Sequence, residues 1–238
     1  MGTRSKRSER CRRCRMHIPL CLCPSIPRYD LGTRLVLVMH HRERIKTTAT
    51  GPLALEALPN SELRIHGHRE HPLDLSDLDT PERRTLILYP GDDAPVLTRE
   101  LLEEDRRPVT LVVPDGTWRQ ASRMGRRLPG LEHARMVRLP EGPPTRWGIR
   151  RECHPQGVAT FEAIARALGI IESPAVQAGL EELFDLMVQR TLRARGTMIN
   201  SNPESLSGEN IMEAGRQPHR LPVPQPDIQS KVSRTSTS

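Results

Sequence analysis

The chain has 238 residues, of which 36% are hydrophobic and only 3% aromatic, and it carries a formal charge of +7 with a pI near 9.7. That length suits one sizeable α/β domain with additions rather than two full-sized domains, and no run approaches the roughly 18 consecutive apolar residues of a membrane span. Of the 36 basic residues all but Lys6, Lys46 and Lys231 are arginine, whose planar fork suits phosphate, so a polyanionic partner, nucleic acid above all, is expected.

Residues 1–10 read as a basic flexible arm. They lead into Cys11, Cys14, Cys21 and Cys23, where a signal peptide would need an apolar stretch, so a cytoplasmic location is expected. In a reducing compartment the C-x2-C-x6-C-x-C spacing points to a metal before disulfides. Four thiolates fill a tetrahedral zinc site and leave no open position, which makes a knuckle over 11–30 structural rather than catalytic. Arg12, Arg13 and Arg15 stand where they would offset the surplus negative charge of the thiolates. Reduced cysteines without metal and an iron–sulfur cluster are the alternatives.

The aliphatic runs at 33–41, 83–91, 108–116 and 134–140 end in Pro, Gly or polar residues, as strands buried on both faces of a parallel sheet do. Between them lie segments of helical spacing, so the expected fold is α/β, a mostly parallel sheet with flanking helices. Helices are predicted over 51–60, 117–128, 159–170 and 173–196, the last opening on a Ser173 cap with Pro174 at its first turn and closing before Gly196. Arg119, Arg123, Arg126 and Arg127 share one face of the second of these. Beyond the domain at 31–197, residues 198–238 are rich in Ser, Pro, Asn and Gln without periodicity, and read as a disordered tail.

Three of the strand runs end in polar loops at the edge where open α/β sheets place ligands. The first carries His40, His41, Glu43 and Lys46; the histidines suit a solvated loop with a cap at Thr50, while Glu43 and Lys46 are the stronger site candidates. The second reads Tyr89-Pro90-Gly91-Asp92-Asp93-Ala94, and the third Asp115-Gly116-Thr117-Trp118. Asp115 is either the N-cap of the following helix or a catalytic carboxylate, two roles that are compatible. Farther on, Thr160 and Glu162 stand at the head of a helix fed by a glycine-containing loop, which suits an anionic group. The adjacent Cys153 and His154 have no third partner in view and are taken as incidental.

The cysteine set, "ERIKTTATG", "YPGDDA", "DGTW" and "GVATFEA", in this order, make the chain resemble the DTW-domain proteins over about residues 11–195. At 49–51 it has Ala-Thr-Gly where that family often has Asn-Thr-Gly. Members are tRNA-uridine aminocarboxypropyltransferases, related to the rRNA aminocarboxypropyltransferases and to the knotted SPOUT-like RNA-modifying enzymes. The resemblance therefore implies a SPOUT-like sheet with a deep knot, and transfer of the 3-amino-3-carboxypropyl group of S-adenosylmethionine to N3 of a tRNA uridine. It also implies that Asp115 is catalytic and that Pro90, Gly91, Asp115, Gly116, Thr117, Trp118, Thr160 and Glu162 hold the donor. Glu43, Lys46, Arg119, Arg123 and Arg150 would hold tRNA. No obligate protein partner and no membrane is implied. A methyltransferase acting on RNA with the same donor, and a non-catalytic zinc-knuckle RNA-binding protein, are the competing readings.

Overall fold

A computed structural model describes residues 9–68, 70–91, 93–125, 128–148 and 157–196. Most of the expected basic arm and the expected tail beyond 197 lie outside them, as do Asp92, Arg126, Arg127, Arg150, Cys153 and His154. Five strands, β1 (Arg34–His40), β2 (Ser61–His66), β3 (Arg84–Leu88), β4 (Val109–Asp115) and β5 (Arg135–Val137), form one sheet in the order β2-β1-β4-β3-β5. Every neighbouring pair is parallel. Five helices accompany them among the described residues: α1 (Gly51–Ala57), α2 (Arg99–Glu103), α3 (Trp118–Gly125), α4 (Thr160–Ile171) and α5 (Pro174–Ala194).

The near-continuous apolar runs follow from burial on both faces of the sheet. Leu35, Leu37 and Met39 of β1, Leu111 and Val113 of β4, and Leu86 and Leu88 of β3 join the core that also holds α1, α4 and α5. The alternate residues Val36, Val38, Val112 and Ile87 join a second core with Met124 of α3 and Leu75, Leu78, Leu128 and Leu131. Asp115 shares the parity of Leu111 and Val113, so the period of two turns it toward the α1/α4 side.

The four aliphatic runs all form strands. β2 was not among the expected elements because "SELRIH" is polar. It is an edge strand, and its charges are matched across the surface: Arg34 meets Glu62 at 2.7 Å, and Arg64 meets Glu62 at 3.1 Å and Asp77 at 2.7 Å. α2 is a five-residue helix started by Thr98, whose hydroxyl accepts from Leu101 N at 3.2 Å. α5 begins as its sequence suggests, with Ser173 Oγ accepting from Val176 N at 3.4 Å and Pro174 in its first turn.

The cysteine segment contributes Cys14, Met16 and Leu22 to the main core. Arg190 of α5 donates to Leu20 O at 3.4 Å and to Cys21 O. Arg13 pairs with Glu56 of α1 at 2.9 Å, and Arg15 donates to Arg44 O in the loop after β1.

Phe184 of α5 stacks on Phe161 of α4 at 5.4 Å and meets Trp147 at 5.8 Å, all three fully or almost fully buried. Truncating it removes an aromatic group that the surroundings cannot refill. Phe184→Ala is expected to cost about 3–5 kcal/mol in urea unfolding, against about 0.5 kcal/mol or less for Leu63→Ala on the exposed edge strand; equal losses would show that the aromatic cluster is not a keystone of the core.

Candidate active site

Because all five strands run in one direction, their carboxyl ends share an edge of the sheet. A cavity of about 1050 Å³ opens there, at the upper end of the roughly 300–1,000 Å³ common for ligand sites. Four strand-end segments line it: Lys46 and Thr48 to Thr50 after β1, Tyr89 to Gly91 after β3, Asp115 to Arg119 where β4 passes into α3, and Arg138 to Pro144 with Trp147 after β5. Thr160, Ala163 and Arg166 complete the wall from one face of α4, at the i, i+3, i+6 spacing of a helix.

Asp115 is 4% exposed and accepts a hydrogen bond from Thr160 Oγ1 at 2.7 Å through Oδ1. Its other oxygen lies against Gly51, where an added Cβ would stand 2.9 Å from Oδ2 and 3.0 Å from Leu37. Only glycine at 51 lets the first turn of α1 come so near the carboxylate. Thr50 Oγ1 does not cap its own helix; it accepts from Phe161 N at 3.2 Å and so ties α1 to α4.

The cap of α3 is Thr117. Its Oγ1 accepts from Gln120 N at 3.3 Å, and Gln120 Oε1 accepts in return from Thr117 N at 2.8 Å, a reciprocal capping box. Capping therefore does not account for the Asp115 carboxylate, which is turned to α4. Gln120 Nε2 also reaches His40 Nδ1 at 3.2 Å, and Arg42 N donates to the same nitrogen at 3.2 Å. Burial, then the neighbouring His41 and His66, lowers the His40 pKa, which agrees with a neutral ring accepting at Nδ1.

Glu43 is 1% exposed and pairs with Lys46, aiming the lysine from beneath the cavity wall. Arg119 lines the rim, and Arg123 follows one helical turn later on the exposed face of α3. Arg138 donates through Nε to Ala94 O at 3.1 Å, and Arg166 through Nη2 to Pro143 O at 2.9 Å, so two guanidinium groups of the wall are held by backbone carbonyls.

The four cysteine sulfurs converge away from this cavity. Cys11 and Cys23 lie 3.5 Å apart, Cys14 and Cys21 3.7 Å, and all four sulfurs fall within 4.8 Å of one another. A tetrahedron with metal–sulfur bonds of about 2.3 Å has edges of about 3.8 Å, so the cluster can hold a metal ion with little adjustment. Backbone N–H groups of Cys14 and Arg13 draw the Cys11 thiol down to about 6, whereas burial pushes that of Cys23 up to about 12. Leu22 N donates to Cys14 Sγ at 3.3 Å, as in metal–thiolate knuckles.

The DTW domain matches residues 8–192. The chain belongs to the DTW-domain family. Its curated relatives include proteins named tRNA-uridine aminocarboxypropyltransferase 2: that of Macaca fascicularis is 32% identical over 173 residues, 71% of this chain and 58% of the relative. That of Drosophila melanogaster is 29% identical over 175 residues, covering 70% and 68%, and that of Mus musculus 29% over 225 residues, covering 92% and 73%. The chain thus spans less than two thirds of the macaque relative's length. No solved structure matches it.

The DTW signature itself, Asp115, Gly116, Thr117 and Trp118, lies in the cavity wall together with Pro90, Gly91, Thr160, Lys46 and Arg119. Glu162 does not line the cavity. Its buried carboxylate accepts from Ala159 N at 3.0 Å, Arg146 N at 2.8 Å and the Thr145 hydroxyl, and so pins the loop after β5 to the head of α4. Ala159 has no side-chain acceptor, so this is half a capping box. Glu43 and Arg123 also stand outside the wall, and Arg150 lies outside the described residues. Arg138, Trp147 and Arg166 also line the cavity and are not among the expected site residues. Their signals were present: "RLPEGPPTRW" is a fourth polar strand end, and Arg166 repeats the helical spacing of Thr160 and Ala163.

Elemental analysis of protein purified without chelator is expected to find one metal ion bound to the cysteine cluster per chain. Cys14→Ser should lose it and lower the Tm, since ligand binding and local folding are coupled; a wild-type protein without metal in this cluster would overturn the assignment.

Proposed function

We propose that this chain transfers the 3-amino-3-carboxypropyl group of S-adenosylmethionine to N3 of a uridine in tRNA, giving 3-(3-amino-3-carboxypropyl)uridine and methylthioadenosine. The observation that carries the reading is a carboxylate, Asp115, held at the wall of a large cavity by Thr160 and the close approach of Gly51. The names of the relatives support the same chemistry.

The transfer asks for three things of the protein. Uridine N3 is a weak acid that must lose its proton as it attacks the methylene beside the sulfonium; the C–S bond breaks and methylthioadenosine leaves neutral. Asp115 is suited to accept that proton or to stabilise the cationic donor. Which carbon is attacked depends on how the donor is turned, and Pro90, Gly91, Gly116, Thr117, Trp118 and Thr160 are the residues that would orient it. Lys46, aimed by Glu43, and Arg119 at the rim, with Arg123 beyond it and Arg150, would hold tRNA phosphates, contacts that position the substrate without reading its sequence. The sulfonium is already an activated leaving group, so the transfer calls for no metal in this cavity. In the cysteine cluster we assign zinc, in a structural role, and a cytoplasmic location suits its reduced thiolates.

Mass spectrometry of tRNA nucleosides after incubation with the protein and S-adenosylmethionine tests the reading. Aminocarboxypropyluridine together with methylthioadenosine is expected; S-adenosylhomocysteine in its place would make the chain a methyltransferase, and no modification would leave RNA binding alone. Asp115→Asn keeps an oxygen to accept the Thr160 hydroxyl, so the Tm should barely move while transfer falls on the order of 10²-fold or more. Turnover near that of the wild type would remove Asp115 from the chemistry.

If Arg119 and Arg123 contact phosphate, tRNA affinity should fall with salt at a log–log slope of about −0.7 to −0.9 per contact. Replacing both by Ala should make that slope shallower by about one for each arginine, read by filter binding at several salt concentrations; an unchanged slope would place the tRNA elsewhere.

A further inference from the structure

Five of the nine histidines gather where β1 and β2 end: His40, His41, His66, His68 and His71. They fall into two groups. His40 and His41 approach to 4.7 Å and His40 and His66 to 6.0 Å between ring centres, and His40 Nδ1 is taken by Arg42 N and Gln120. In the loop beyond β2, by contrast, His68, Glu70 and His71 each present a donor atom within 4.8 Å of the other two. The two rings stack at 5.0 Å with 30° between their planes. All three residues are exposed, and no hydrogen bond or ion pair engages them among the described residues.

We infer that His68, Glu70 and His71 form a second, surface metal site that takes a divalent first-row transition ion such as Zn²⁺ or Ni²⁺. Two imidazoles and one carboxylate suit these ions, whereas Mg²⁺ and Ca²⁺ favour oxygen alone. Metal bonds of about 2.0–2.2 Å require the donors to draw closer than they stand, and exposed side chains, with no partner to break among the described residues, can do so by changing rotamer. The backbone is already turned for it. Gly67, at φ +83°, bends the chain directly after β2, and a Cβ there would lie 3.2 Å from the His41 ring, so glycine permits the close approach to the end of β1 that precedes the three donors.

This site differs in kind from the cysteine cluster. Four thiolates close their coordination sphere, whereas three protein ligands leave a position open to water or to an anionic oxygen. The loop follows the carboxyl end of β2, the same edge of the sheet on which the cavity opens, so a bound ion would add positive charge to that edge. The inference does not depend on the transfer reaction.

Calorimetric titration of Zn²⁺, and separately of Ni²⁺, into the full-length, untagged protein with its cysteine cluster loaded tests the site. One further equivalent of ion is expected to bind saturably. His68→Ala and His71→Ala should each weaken it at least about tenfold, with unchanged far-UV circular dichroism, while His133→Ala, a histidine paired with Asp79 elsewhere, should leave it intact. Cys14→Ser should remove the thiolate-bound ion without affecting this one. Absence of a further equivalent in the wild type, or binding indifferent to both substitutions, would overturn the site; loss through His41→Ala alone would do so as well, by moving the ion to the other histidine group.

Discussion

The hydrogen bond from Thr160 Oγ1 to Asp115 Oδ1, 2.7 Å long, is where the sheet, α4 and the cavity meet. A carboxylate only 4% exposed at the end of an aliphatic strand costs several kcal/mol unless its oxygens are matched, and here the matching group is the first residue of a helix. The same contact decides much around it. α4 must begin beside the end of β4, Gly51 must be bare for α1 to fit against the other oxygen, and Thr50 closes the arrangement by holding Phe161 N. One wall of the cavity is therefore fixed by regular elements, which hold side chains more closely than loops do.

Another part of the wall is a loop, and its rigidity is borrowed. Glu162 holds the backbone at Ala159 and Arg146, Arg146 spans to Glu181 at 2.9 Å and Asp185 at 2.7 Å on α5, and Trp147 sinks into the core beside Phe184. Arg166 fixes Pro143 from the side. With these straps a proline-rich segment that has no secondary structure of its own can still shape a binding surface, and the positioning such a surface provides is what the proposed transfer would need.

The cysteine knuckle belongs to the same construction. Its apolar residues enter the main core, and its arginines reach α1 and the loop after β1 that carries Glu43, Lys46 and Thr48 to Thr50. Metal binding there would stabilise more than a terminal segment, because the free energy of ligation is spent on folding the parts it touches. The cluster is thus coupled to the cavity through packing and hydrogen bonds while lying apart from its chemistry.

The sequence by itself determined the parallel α/β sheet from four aliphatic runs, the start of α5 from Ser173 and Pro174, the metal-competent cluster from cysteine spacing, and the family from its ordered motifs. These signals are local: burial on both faces, caps and chelate spacing are written in neighbouring residues. It did not reveal β2, since a polar edge strand lacks the aliphatic run and is held by Arg34 and Asp77 from other segments. Nor could it show that Thr117 and not Asp115 caps α3, place Glu162 behind the wall instead of in it, or bring Arg138 and Arg166 to the cavity. Those outcomes belong to the tertiary structure, because the direction of a side chain at the end of a strand is settled by whichever element packs against it, and Thr160 lies 45 residues away from Asp115 in the chain.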